Sequence, residues 1–133
     1  ITGLRNLDHN NLWRTVMYNV LICDDEQDIV SALKIYMESE GHRALCASGG
    51  REALKILETE PIDIVLTDLW MPEMSGVELT DHIRQTSSKK DIPVIAVTAD
   101  TYCQERLKLD FFNDVIFKPI SIHKLNEVFI IEE

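Results

Sequence analysis

Asp24 with Asp25, Asp68, Thr98 and Lys118 each stand directly after a short apolar run, namely VLIC, IVLT, VIAV and VIF. Three carboxylates, a hydroxyl and an ammonium are a set suited to phosphoryl chemistry. Two carboxylates about 5 Å apart repel by roughly 3 kcal/mol at an effective dielectric of about 20, so such a cluster must hold a proton or bind a cation. Hard oxygen donors with room for water favour Mg2+ over zinc. A carboxylate beside a divalent ion can attack phosphorus and become an aspartyl phosphate. The charge that then spreads over the phosphoryl oxygens calls for electrophilic or hydrogen-bonding groups, which Lys118 and Thr98 supply. Each feature is ordinary alone, since an acidic pair suits any helix start. Their weight lies in convergence, because ligands of open α/β sheets bind beyond the carboxyl ends of the strands.

The elements that must position these groups alternate along the chain. Asn19 to Cys23 is a first strand, and Ile29, Ala32, Leu33, Tyr36 and Met37 recur at helical spacing up to a stop at Gly41. Arg43 to Ala47 is a weaker second strand, after which Ser48 is placed to cap a helix carrying Ala53, Leu54 and Leu57. Pro61 precedes a third strand, Ile62 to Thr67, and LWMPEMSG forms a loop into a helix presenting Leu79 and Ile83. Pro93 opens a fourth strand running to Val97, followed by a poorly patterned helix over Tyr102 to Leu109. Val115 to Phe117 is the fifth strand, and Ser121 caps a closing helix with Ile122, Leu125, Val128 and Phe129 inward. Five apolar strands alternating with five helices make a doubly wound parallel α/β sheet. Right-handed crossovers with one order reversal favour the strand order 2-1-3-4-5, with the crevice at the strands ending in Asp24–Asp25 and Asp68.

A length of 133 residues with 45% hydrophobic content allows one domain with a real core. Residues 1–16 are polar and without a period, and are expected to be a tail, a linker or sequence foreign to the natural chain, with at most one helical turn; the domain proper runs over 17–133. A net charge of -10, with no basic concentration beyond Lys89–Lys90, opposes direct nucleic-acid binding. Cys23, Cys46 and Cys103 are odd in number and lack CxxC spacing, as expected of free thiols in a reducing compartment. No apolar run reaches the ~20 residues of a membrane helix. The first residues do not pattern as a signal peptide, so the expected location is cytoplasmic, without membrane contact. His9, His42, His82 and His123 lack metal-ligand spacing and are expected at the surface.

The ordered combination of Asp24–Asp25, the segment Asp68 to Gly76, Thr98–Ala99 and Lys118–Pro119 resembles the receiver domain of two-component response regulators, over nearly the whole chain from Met17 onward. The resemblance implies a flavodoxin-like fold. It also implies that Asp68 accepts a phosphoryl group from a phosphohistidine on a histidine kinase or a histidine phosphotransfer protein. Asp25 and Asp68 would bind Mg2+ directly together with the Trp70 backbone carbonyl, with Asp24 acting partly through water. Lys118 would contact one phosphoryl oxygen, and Thr98 would move to bond another and report the modification. The Lys118–Pro119 bond would be cis. Trp70 and Asp100 would flank the acceptor and tune loss of the phosphoryl group to water, slowly here because a bulky indole hinders in-line approach. Implied partners besides the kinase are an output domain or protein and a phosphorylation-dependent homodimer.

Two departures from the family pattern bear on signalling. Val115 stands where the family usually has Tyr or Phe, and Phe117, on the same strand face, is a candidate to take over part of that switch. The interval from Thr98 to Lys118 is about two residues short, and Phe111 stands where a Gly commonly ends the fourth helix, so that helix is expected to be short, shifted or mobile. Two other functions compete. An aspartate-nucleophile phosphatase of the haloacid dehalogenase type resembles DxD around its nucleophile, but Trp70 occupies the place of the second acid. A receiver-like interaction domain that no longer accepts phosphate is opposed by the intact five-residue set. The expected protein is a signalling domain, not an enzyme, assisting only its own phosphorylation and dephosphorylation.

Overall fold

Alternation of side chains along each strand sorts the apolar residues into two layers. The computed structural model describes the backbone of residues 5–7, 13–86 and 88–131, with side chains described over 16–86 and 88–127. In place of a helical turn, the N-terminal segment carries a short antiparallel pair, β1 (Arg5–Leu7) and β2 (Trp13–Thr15). The domain then runs β3 (Asn19–Cys23), α1 (Gln27–Ser39), β4 (Arg43–Ala47), α2 (Gly50–Thr59), β5 (Ile64–Thr67) and α3 (Gly76–Gln85). It closes with β6 (Val94–Thr98), α4 (Cys103–Arg106), β7 (Asp114–Phe117) and α5 (Ile122–Ile131). The five-stranded sheet is parallel in the order β4-β3-β5-β6-β7, which is 2-1-3-4-5 counted within it, the flavodoxin-like arrangement. Val20, Ile22, Ile64, Leu66, Ile95, Val97 and Ile116 point to the face covered by α1 and α5, through Val30, Leu33, Met37 and Leu125. Leu21, Cys23, Val65 and Val94 point the other way, against Ala53, Leu57, Leu79 and Ile83 of α2 and α3. Burial on both faces explains why β3, β5 and β6 are near-continuous apolar runs.

Local signals account for most element ends. Gly41 adopts φ 89° after α1, and the His42 amide donates to the Met37 carbonyl at 3.0 Å, closing the helix in the left-handed manner glycine allows. Ser75 and Glu78 form a reciprocal capping box at the start of α3, with bonds of 3.1 and 3.0 Å, a signal the sequence reading passed over. Ser121 accepts the Lys124 amide at 3.0 Å, as a cap of α5 should.

Four expectations are corrected. Ser48 does not cap α2; Gly49 holds that position, and the Glu52 carboxylate instead reaches back to the Ser48 amide at 2.7 Å and its hydroxyl at 3.2 Å. Ala32 and Ile122 are exposed, not inward, whereas Leu33, Met37 and Leu125 are buried as expected and Val30 joins them. The expected inward side chains of Val128 and Phe129, like His9, lie outside the described residues. His42 is buried, not at the surface, because the turn after α1 folds it under the chain entering β3, where its Nδ1 accepts the Tyr18 amide at 3.1 Å. Burial holds its pKa below the usual histidine range, consistent with an unprotonated acceptor nitrogen. His82 and His123 are exposed as expected.

The fourth helix is a single turn, Cys103–Arg106, short as the reduced interval and Phe111 lead one to expect, and covering only part of the span Tyr102 to Leu109. Arg84, near the end of α3, organises the segment that follows. It donates to the Phe111 carbonyl at 3.0 and 2.7 Å, to the Lys90 and Ile92 carbonyls at 3.0 and 2.5 Å, and to Asn113 Oδ1 at 2.9 Å. One guanidinium thus satisfies carbonyls from two connections, the one between α3 and β6 and the one between α4 and β7. Arg84→Ala should lower stability by about 2 kcal/mol, since several acceptors lose a charged donor at once. A urea denaturation series would show this as a lower midpoint at unchanged slope; an unaltered midpoint would contradict the role.

Candidate functional site

The parallel register delivers the acidic residues to one edge. Cys23 is paired with Thr67 and with Ala47, so Asp24 and Asp68 stand one step beyond on neighbouring strands. The Asp68 amide donates to the Cys23 carbonyl at 3.0 Å, and the Asp24 amide to the Ala47 carbonyl at 3.1 Å, which extends the ladder to the site itself. Thr98 is likewise paired with Phe117, and the Lys118 amide donates to the Thr98 carbonyl at 2.8 Å. The Lys118–Pro119 peptide is cis, as expected.

Carboxylate oxygens of Asp24, Asp25 and Asp68 all lie within 4.8 Å of one another. Asp24 and Asp68 are buried and Asp25 is exposed, so the cluster has two fixed acids and one at the mouth. Lys118 Nζ donates to Asp24 Oδ2 at 2.9 Å, to Glu26 Oε1 at 3.0 Å and to Asp68 Oδ2 at 3.3 Å. The remaining oxygens of the buried acids are held by the backbone: Asp24 Oδ1 accepts the Glu26 amide at 2.9 Å, and Asp68 Oδ1 the Leu69 amide at 2.7 Å. A Cβ on Gly76 would run into the Asp68 carbonyl oxygen, so only glycine lets α3 begin this close to the acceptor loop. In the same loop Glu73 takes φ 69°, the left-handed region uncommon for a residue with a side chain.

Burial pushes Asp24 above the usual carboxylate range, with Asp68 acting the same way, against the Glu26 amide and Lys118. For Lys118, burial alone would lower the ammonium's pKa, but its hydrogen bonds to Asp24 and Glu26 and the charge of Asp68 outweigh it, so the group is held firmly protonated. Burial pushes the neighbouring Cys23 thiol up to about 12, which leaves it an inert thiol. Cys23 and Cys103 are buried and Cys46 half-buried, all three free.

The donor set fits a hard divalent cation: three carboxylates offer oxygen ligands from one edge, one of them open to solvent, where retained waters can complete the shell. Thr98 is buried, its hydroxyl accepting the Asp100 amide at 3.1 Å. Trp70 is half-exposed, and its indole Nε1 donates to Asp100 Oδ2 at 2.8 Å. Phe117 is partly buried with Val115 against Leu69, Ala96 and Cys103. Sequence reasoning missed Glu26 as a partner of Lys118. In the sequence it is one more acid at a helix start, and only the geometry distinguishes a carboxylate that faces solvent from one that turns back to the ammonium.

Residues 20–130 match the model of the response regulator receiver domain. Response regulator SaeR of Staphylococcus aureus is 40% identical over 111 residues, covering 82% of this chain and 47% of SaeR. The chain thus spans about half the length of the curated relatives it matches. Among solved structures, TrrA from Thermotoga maritima, in complex with Mg(2+)-BeF, aligns with a TM-score of 0.77 and 32% identity, over 84% of this chain and 96% of that one. A response regulator receiver protein from Pseudomonas putida aligns with a TM-score of 0.78 and 30% identity, over 86% and 97%. The chain belongs to the response regulator receiver domain family, a class of signalling domains.

The raised pKa of Asp24 has a testable sign. An acid whose folded pKa lies above its unfolded value binds more protons when folded, so its contribution to stability falls as pH rises above about 4. Without divalent cation, the wild type should therefore lose more stability than Asp24→Asn between mildly acidic and neutral pH, and added Mg2+ should narrow that difference. Parallel stability curves for the two proteins in chelator would contradict the assignment.

Proposed function

We propose that Asp68 takes a phosphoryl group from a phosphohistidine of a histidine kinase or histidine phosphotransfer protein, and that residues 17–133 form the signalling module. The observation that carries this reading is a buried carboxylate at a strand end, 3.3 Å from a protonated lysine and clustered with two further acids. In the transfer, an Asp68 carboxylate oxygen forms a bond to phosphorus as the P–N bond of the donor breaks. The departing imidazole nitrogen keeps the electron pair and takes up a proton, and Asp68 becomes an acyl phosphate. Asp25 and Asp68, with the Trp70 backbone carbonyl, would hold Mg2+, and Asp24 would act partly through water. The ion, when bound, would neutralise the acidic cluster and accept charge from the phosphoryl oxygens. Lys118 would exchange one of its carboxylate partners for a phosphoryl oxygen, and Thr98 would leave the Asp100 amide to bond another.

Such a module works in the cytoplasm and passes its state to an output domain or protein, including through a phosphorylation-dependent homodimer; among the described residues no helix is long and apolar enough to cross a membrane. It is not an enzyme toward other substrates. The place of a general acid two residues after Asp68 is taken by Trp70, whose side chain is bonded to Asp100.

Incubation with acetyl phosphate and Mg2+, followed by intact mass measurement, should add one phosphoryl group to the wild type and none to Asp68→Asn. Hydrolysis of a generic phosphate ester should stay at background. An adduct on Asp68→Asn, or none on the wild type, would overturn the reading.

A further inference from the structure

The side chain of Asp100 joins three parts of the chain at the flank of the acceptor loop. Its Oδ2 accepts the Trp70 indole N–H at 2.8 Å, and its Oδ1 accepts the Tyr102 amide at 3.0 Å. Arg106 Nη2 lies 2.8 Å from Oδ1 and 2.7 Å from Oδ2, so one nitrogen bonds both oxygens. The Asp100 carboxylate is only 9% exposed, while Arg106 is 62% exposed. The backbone amide of Asp100 in turn donates to the Thr98 hydroxyl at 3.1 Å. Trp70 follows Asp68 by two residues and Asp100 follows Thr98 by two, so the indole bond spans the ends of adjacent strands β5 and β6.

We infer that Arg106 is a positioning residue that acts through Asp100 to hold the Trp70 indole at the flank of Asp68, and so lengthens the life of the acyl phosphate. An indole free to swing admits water more often than one tied at its N–H, and hydrolysis of an acyl phosphate needs in-line approach of water to phosphorus. Asp100 already uses both oxygens for the indole and the Tyr102 amide, and the Arg106 charge orients that carboxylate and strengthens its hold on the indole N–H. The arginine comes from the one-turn α4, the element that departs most from the expected pattern. Phosphoryl lifetime is thereby linked to a surface turn where a partner could release the tie by competing for Arg106. The inference rests on the proposed phosphorylation of Asp68.

The test is a double-mutant cycle on the decay of the phosphorylated form, after removal of acetyl phosphate, with Arg106→Ala, Trp70→Phe and both together. Trp70→Phe keeps an aromatic ring but removes the N–H. Each single variant should shorten the half-life roughly threefold, the scale of an ion pair half open to solvent, and the double variant should decay no faster than Trp70→Phe. Because a single nitrogen makes the contact, Arg106→Lys should keep most of the lifetime. In a Trp13→Phe background, acrylamide should quench Trp70 fluorescence more strongly in Arg106→Ala than in its parent. Equal half-lives for wild type and Arg106→Ala, or additive effects in the cycle, would overturn the positioning role alone. Absence of a phosphoryl adduct on the wild type would overturn the proposed function as well.

Discussion

The structure depends on the mutual repulsion of acidic groups that the sheet forces together. Pairing of Cys23 with Thr67 leaves no freedom to separate Asp24 from Asp68, and both are buried. A single ammonium, Lys118, reaches both, across one intervening strand to Asp68 and across two to Asp24. Burial first and the Asp68 charge second push the Asp24 pKa up, the direction expected of acids crowded in a pocket with protein charges alone. The arrangement becomes favourable when further positive charge enters, which is the condition a phosphoacceptor needs: a nucleophile that is ionised, partly desolvated and unable to relax away.

Much of this was legible in the amino-acid order, because the physics that shapes it is local. Apolar runs ending at Asp24, Asp68, Thr98 and Lys118 mark strand ends directly, and the crossover rules then bring those ends to one edge. Less legible were features set by tertiary contact. His42 looks like any turn histidine until the Tyr18 amide is seen to need its nitrogen. Glu26 belongs to an ordinary acidic helix start until Lys118 turns toward it. The buried stripes of α1 and α5 were legible at Leu33, Met37 and Leu125, and only their margins were not: Ala32 and the first-turn Ile122 stand exposed at the edge of the packed face. The capping box of Ser75 and Glu78 is legible from its three-residue spacing alone.

The region between β6 and β7 shows how a shortened connection is held without a long helix. Two arginines anchor the connection on either side of the single turn of α4. Arg84 gathers carbonyls on the α3 side, and Arg106 gathers the Asp100 carboxylate on the side of the site. Phe117 and Val115 pack with Leu69 and Cys103 between them, so the apolar floor beneath the acceptor loop is shared with this region. Changes in the site therefore have a packed route to the surface around α4, in a chain whose curated relatives are about twice its length.

The central proposal is that Asp25 and Asp68 hold Mg2+ at the acidic cluster, with Asp24 acting partly through water. Calorimetric titration of the protein with Mg2+, in wild type and in Asp25→Asn, tests it most directly. The account predicts a single binding event in the wild type that is strongly weakened by the substitution, which removes the solvent-facing ligand while leaving the buried pair in place. No heat of binding in the wild type, or equal affinity in both proteins, would contradict it.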